Sequence, residues 1–171
     1  MGHLTIDLVG RKQTGATDMN QYQYVVGFAF SKDLNYVLLV KKNRPEWQKG
    51  YLNGIGGKIE ESDNSPIAAM YRECMEEAGI DLLWEELGIM EGTNDDGGEF
   101  KCYIFYAYSD RIFDFKQRED EYLDVYTADS PDDYWRDEQH IANLEFLIPF
   151  GIYHARGGKV ASYIRLEYNN A

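Results

Sequence analysis

The chain of 171 residues has only two cysteines, four prolines and three histidines, and its 17 basic residues are outnumbered by 30 acidic ones. Cys74 and Cys102, with no Cys-x-x-Cys pair, cannot build a disulfide scaffold or a thiolate metal site. They read as buried thiols in a reduced compartment, with a single disulfide between them as the other possibility. The net charge of −13 argues against long nucleic acid or an anionic membrane as the main partner, because both would be repelled. An anionic small-molecule substrate then requires a bound cation. No apolar run reaches membrane-spanning length, and "MGHLTIDLVGRKQTG" lacks the apolar centre of a signal peptide, so the expected location is cytoplasmic. His3, His140 and His154 show no ligand spacing. The oligomeric state is left open, a homodimer included.

What is present is core-forming: 44% of residues are apolar and 15% aromatic, enough for one domain over residues 1–171. A polar lead-in occupies 1–21, with a short strand expected at 4–9. "YQYVVGFAF" (22–30) and "YVLLVKK" (36–42) predict a hairpin across the turn residues "SKDLN". Residues 44–66 carry four glycines and two prolines and form a long irregular loop of a length usually tied to function. A helix is expected over 65–78, with Ser65 as N-cap, Pro66 at its first position and Gly79 ending it. Strands follow at 99–109, 122–128 and 160–168, and a helix at 143–156 in which Pro149 must lie early or form a kink. This order predicts an α+β fold with a sheet sandwiched between helices.

On the 65–78 helix, a 100° step gathers Ile67, Met70, Tyr71, Cys74 and Ala78 on one side and Glu73, Glu76 and Glu77 on the other. Like charges three and four apart repel, and a solvated acidic face is the ordinary reading. The Gly-Gly loop just before the helix favours another, since it lets backbone and ligand approach closely. Clustered hard oxygens suit Mg²⁺, with Mn²⁺ as a substitute, which would bridge the acidic face to phosphate.

"GGKIEESDNSPIAAMYRECMEEAGI" resembles the Nudix box, residues 57–80 here, in which Gly57, Arg72, Glu73, Glu76, Glu77, Gly79 and Ile80 fall in the family's order. The chain departs from that pattern in one extra residue before the arginine and in Asp63 or Asn64 where the first glutamate stands. Cys74 replaces an aliphatic residue, which a small buried thiol can do. The resemblance implies a Nudix α/β/α sandwich with a mixed sheet and a Mg²⁺-dependent pyrophosphohydrolase. It further implies that Glu76 and Glu77 bind the metal, that the Gly57 carbonyl joins them, and that Glu73 is a ligand or orients the attacking water. Arg72 would hold a glutamate in place. Family members often add a later acidic residue as base or ligand, and Glu119, Asp120 and Glu121 are available for that part, Glu121 being our choice.

The box is silent on substrate. "LNGIGGKIE" (52–60) is similar to the corresponding segment of oxidised-purine nucleoside triphosphatases, which places Asn53 at the base, although Asn before Gly is also ordinary turn chemistry. Tyr24, with Tyr22 and Phe28, could stack on a base or pack in the core. Trp47 and Trp135 sit in polar loops and are binding candidates. Lys58 of the box, and the patch of Lys41, Lys42, Arg44 and Lys49, could meet phosphates. The expected substrate is a small-molecule nucleotide: a nucleoside triphosphate first, damaged purines among them. ADP-ribose, NADH or a dinucleotide is the alternative. A non-catalytic nucleotide sensor is the rival of another class.

Overall fold

The structure, a computed structural model, describes residues 3–7, 22–93, 98–128, 139–158 and 165–169. Trp135, most of the lead-in and residues 160–164 lie outside them. Short β1 (His3–Asp7) pairs antiparallel with β8 (Arg165–Asn169) as a separate ribbon. The central mixed sheet contains β2 (Tyr22–Phe30), β3 (Tyr36–Lys41), β4 (Leu52–Asn53), β5 (Glu85–Thr93), β6 (Glu99–Tyr108) and β7 (Tyr122–Thr127). Its order is β4-β3-β2-β6-β5, with β7 on the other edge of β3. Parallel pairing of β2 with β6 runs along all of β2 and makes the centre of the sheet.

The expected hairpin forms at its turn end only, where Ala29 and Phe30 pair with Leu38 and Val37. Beyond that β2 and β3 diverge, and the glycine-rich loop enters between them. Gly27 N–H donates to the Ile55 carbonyl (2.7 Å), Val25 N–H to Gly57 (2.9 Å), and Ile59 N–H to Gln23 (2.9 Å). These bonds make the irregular loop a rigid extension of the sheet. Gly56, at φ +149°, needs to be glycine, because a Cβ there would stand 2.1 Å from the Val25 carbonyl oxygen.

Two helices, α1 (Pro66–Glu77) and α2 (Leu144–Ala155), cover opposite faces. Ser65 Oγ accepts from Ala68 N–H at 3.3 Å, Pro66 follows it, and Gly79 closes the helix at φ +65°. Strict alternation divides β2 between two cores. Val26, Phe28 and Phe30 pack with Ile104 of β6 under α2, whereas Val25 and Ala29 pack with Phe105 and with Met70 and Cys74 of α1. Cys74 and Cys102 are free, buried thiols in these separate cores.

The structure corrects several expectations. Pro149 lies in the middle of α2 rather than early in it. Strand β5 was not anticipated, because Gly88, Gly92 and a register shift after Glu86 interrupt its alternation. Tyr71 is exposed and does not join the core. Glu77 moves the other way: it follows Met70 by seven residues, nearly two full turns, so it points with Met70 into the buried side and is 3% exposed.

Candidate active site

Lys42 is the hub of the inner half of the site. Period-two alternation beyond β3 directs it, like Leu38 and Val40, toward α1. Its buried Nζ donates to Glu77 Oε1 (2.6 Å), Glu121 Oε2 (2.9 Å) and the Gly56 carbonyl (3.0 Å). The remaining carboxylate oxygens are also engaged: Gly56 N–H donates to Glu77 Oε2 at 3.0 Å and Asn43 N–H to Glu121 Oε1 at 2.8 Å. Gln117 braces this corner, its amide donating to the Glu121 carbonyl and accepting from Leu123 N–H.

Arg72 organises the outer half. Its guanidinium binds Asp63 through two bonds, Nε to Oδ1 (3.1 Å) and Nη2 to Oδ2 (2.9 Å), and reaches Glu73 and Glu76 through Nη1, each at 2.9 Å. Nη2 also donates to the Lys58 carbonyl. Of the two candidates for the first box position, Asp63 therefore makes the arginine contact. Its Oδ2 also accepts from Glu60 N–H at 2.8 Å, folding the loop back on itself. The Glu73 carboxylate lies against Gly57, where a Cβ would come within 2.7 Å of it. The Gly57 carbonyl accepts from Val25 N–H, whereas the Gly56 carbonyl accepts from Lys42 Nζ.

Burial, the largest influence, pushes the Glu77 carboxyl up to about 7 against the pull of Lys42. Glu73 is raised for the same reason, with Arg72 opposing. Burial would lower Lys42 and raise Glu121, but the attraction between them, with Glu77 and the Asn43 amide, reverses both, holding the ammonium above and Glu121 below their ordinary values. The donors are all hard oxygens, a set that fits Mg²⁺ chemically. Among the described residues, however, no three metal-type side chains form a ready-made cage. Lys42 and Arg72 have already taken the glutamates into ion pairs.

The expected patch of four basic residues is not one free rim. Lys42 is buried in the site, Lys49 stands 3.9 Å from Glu46, and Arg44 stands 3.6 Å from Glu119. Asn53 is tied into its turn, its Oδ1 accepting from Gly54 N–H and its Nδ2 donating to Gln48. Exposed Lys58 lies 5.7 Å from the centre of the Tyr22 ring, and Tyr24 is half-buried beside α2's core. Trp47 is exposed on a short 3₁₀ turn. Sequence reasoning missed the burial of Lys42, although the alternation of "YVLLVKK" carried the signal.

A family model, NUDIX domain, matches residues 21–150. No curated protein matches the chain in sequence. Among solved structures, the NUDIX domain of Shewanella oneidensis NrtR complexed with ADP ribose is similar at TM-score 0.66 and 18% identity, over 78% of this chain and 88% of that one. A mutator MutT protein from Bacillus halodurans is similar at TM-score 0.60 and 19% identity, over 86% and 90%. A NUDIX hydrolase from Nitrosomonas europaea is similar at 0.58 and 19%, over 84% and 92%. At these identities the structural likeness speaks for the fold.

Proposed function

Because this chain belongs to the NUDIX domain family of hydrolases, which act on nucleoside diphosphate derivatives, we propose that it is a Mg²⁺-dependent pyrophosphohydrolase cleaving a nucleoside triphosphate to monophosphate and pyrophosphate. Purine nucleotides, oxidised ones included, are the leading candidates. The observation that carries this reading is the meeting of Glu73, Glu76 and Glu77 of α1 with the Gly56 carbonyl and Glu121 around two buried or half-buried cations. The three α1 glutamates and that carbonyl would hold the ion. When bound, Mg²⁺ neutralises phosphate oxygens and lowers the pKa of its water. Glu73, fixed by Arg72, orients the attacking water, and Glu121 receives its proton or supports the ion. Lys42 keeps Glu77 and Glu121 aligned. Asn53 and Tyr24 face the nucleoside, and Lys58 and Trp47 form the rim.

A second reading, cleavage of ADP-ribose or a related dinucleotide, is favoured by the ligand of the NrtR domain, which has a TM-score of 0.66 to this chain. Phosphorus NMR of the products separates the two. Pyrophosphate from a nucleoside triphosphate, dependent on Mg²⁺ or Mn²⁺, supports the first. Two monophosphates from ADP-ribose, with triphosphates intact, support the second. Tight nucleotide binding with no cleavage under either metal would replace both with a sensor.

A further inference from the structure

Every bond of the Lys42 ammonium goes to an oxygen proposed above to hold or support the metal. Its donors are all used, on Glu77 (2.6 Å), Glu121 (2.9 Å) and the Gly56 carbonyl (3.0 Å). The residue is 8% exposed, and hard oxygens gathered around one buried positive charge are the surroundings a divalent ion also needs. Arg72 differs. Two of its bonds reach Asp63 and another the Lys58 carbonyl, so it stays anchored whatever happens at Glu73 and Glu76. Lys42 has no such second hold.

The local structure lets this side chain move without its backbone. The Lys42 N–H donates to the Tyr51 carbonyl (2.9 Å), and its carbonyl accepts from Gly50 N–H (2.8 Å). Beyond that fixed backbone stands a flexible stem ending in a point charge. A cavity of about 440 Å³, lined by Asn43, Arg44, Arg118, Glu119, Asp120 and Glu121, has the Lys42 partner Glu121 in its wall and gives the side chain room. Two cations drawn to the same buried oxygens repel each other with little screening. One of them must give way.

We propose that Lys42 is a resident counter-ion that competes with the divalent cation: it holds Glu77, Glu121 and the Gly56 carbonyl together, and metal binding displaces its ammonium from them. The inference rests on the metal-dependent reading above and adds a competitor to it. Without metal the site keeps its shape, since buried Glu77 is never left without a positive partner. With metal, the gain is offset by the charge-assisted bonds that Lys42 gives up, so the wild type binds the ion more weakly than its oxygens alone would allow.

The test reads metal binding alone, by calorimetry with Mg²⁺ and Mn²⁺ on nucleotide-free wild type, Lys42→Met and Lys42→Arg. Methionine keeps most of the stem and removes the charge, whereas arginine keeps the charge. Lys42→Met is expected to bind either ion about 5–100-fold more tightly than the wild type, a usual range for coupling between two ligands. It should also gain more in thermal midpoint from saturating metal. Lys42→Arg is expected to bind no more tightly than the wild type. An unchanged or weaker affinity in Lys42→Met overturns the proposal, and so does an equal gain in Lys42→Arg, which would assign the effect to loosened packing. If Lys42→Met fails to fold, the wild type decides: its Lys42 ammonium signal in a proton–nitrogen NMR spectrum is expected to shift or disappear as Mg²⁺ is added, and an unchanged signal at saturating Mg²⁺ overturns the proposal. Cleavage is read separately. A protein that binds metal in this pattern yet cleaves no nucleotide sinks the hydrolase reading and leaves this one standing, whereas a metal-dependent hydrolase whose Mg²⁺ affinity ignores the Lys42 charge sinks this one alone. If neither the wild type nor Lys42→Met binds a divalent cation, both fall.

Discussion

The two faces of the central sheet solve opposite problems. Under α1, charge is brought inside and satisfied: every oxygen of Glu77 and Glu121 is bonded, and Lys42 and Arg72 each serve several acceptors. Under α2, the layer is apolar, and its buried amide is left half unpaired. A saturated polar network fixes geometry in advance of a reaction, whereas an unpaired buried group is a local cost. The same β2 supplies both faces through alternate residues, so the charged site and the apolar core are held in one frame.

The largest effect is expected from breaking the saturated side. Lys42→Met strands Glu77 and Glu121 without their cation and should cost about 3–5 kcal/mol in urea unfolding, the range for removing one partner of a buried ion pair. A loss under 1 kcal/mol would mean the network is slack and the contrast between faces false. Next comes Glu76→Gln. Its side chain is half exposed, so unfolding should stay within about 0.5 kcal/mol of the wild type while kcat/KM falls about a hundredfold or more. Gly27→Ala sharpens the packing claim, since a Cβ would lie 2.6 Å from Trp84 and 2.7 Å from the Met70 sulfur. About 1–3 kcal/mol of overpacking is expected, with the base ranking unaffected.

The smallest effect concerns Asp63. The hydrogen bonds from Arg72 hold its carboxyl below the ordinary value, so its stabilisation is present above the unfolded value of about 3.9 and is lost as pH falls through the folded one. Asp63→Asn should therefore melt lower than the wild type at pH 7, by about 1 kcal/mol or less, and the gap should close in strong acid. A gap that is the same at pH 7 and in strong acid would assign the difference to packing.

Much of this was legible from local pattern. Ser65, Pro66 and Gly79 mark the ends of α1 through chemistry that needs no distant partner, and the alternation of 22–30 gives both faces of β2. The box named Glu73, Glu76 and Glu77 together. What was not legible depends on residues far apart in the chain. Glu77 is buried because Lys42, 35 residues earlier, neutralises it, and a helical wheel cannot see that partner. Asp63 rather than Asn64 meets Arg72 because the loop turns on the Glu60 amide. Glu121 could not be separated from Glu119 and Asp120 until β7 paired with β3 and set it beside Lys42.

The division between the charged site and the packed core is tested most directly by one turnover panel of adenine, guanine and 8-oxoguanine nucleoside triphosphates with Mg²⁺, run with urea unfolding on the wild type, Glu76→Gln and Gly27→Ala. The account predicts that Glu76→Gln slows all substrates by a similar factor at nearly unchanged stability, while Gly27→Ala lowers stability and leaves turnover of the folded enzyme near the wild type. The same pattern of loss in both variants would contradict it.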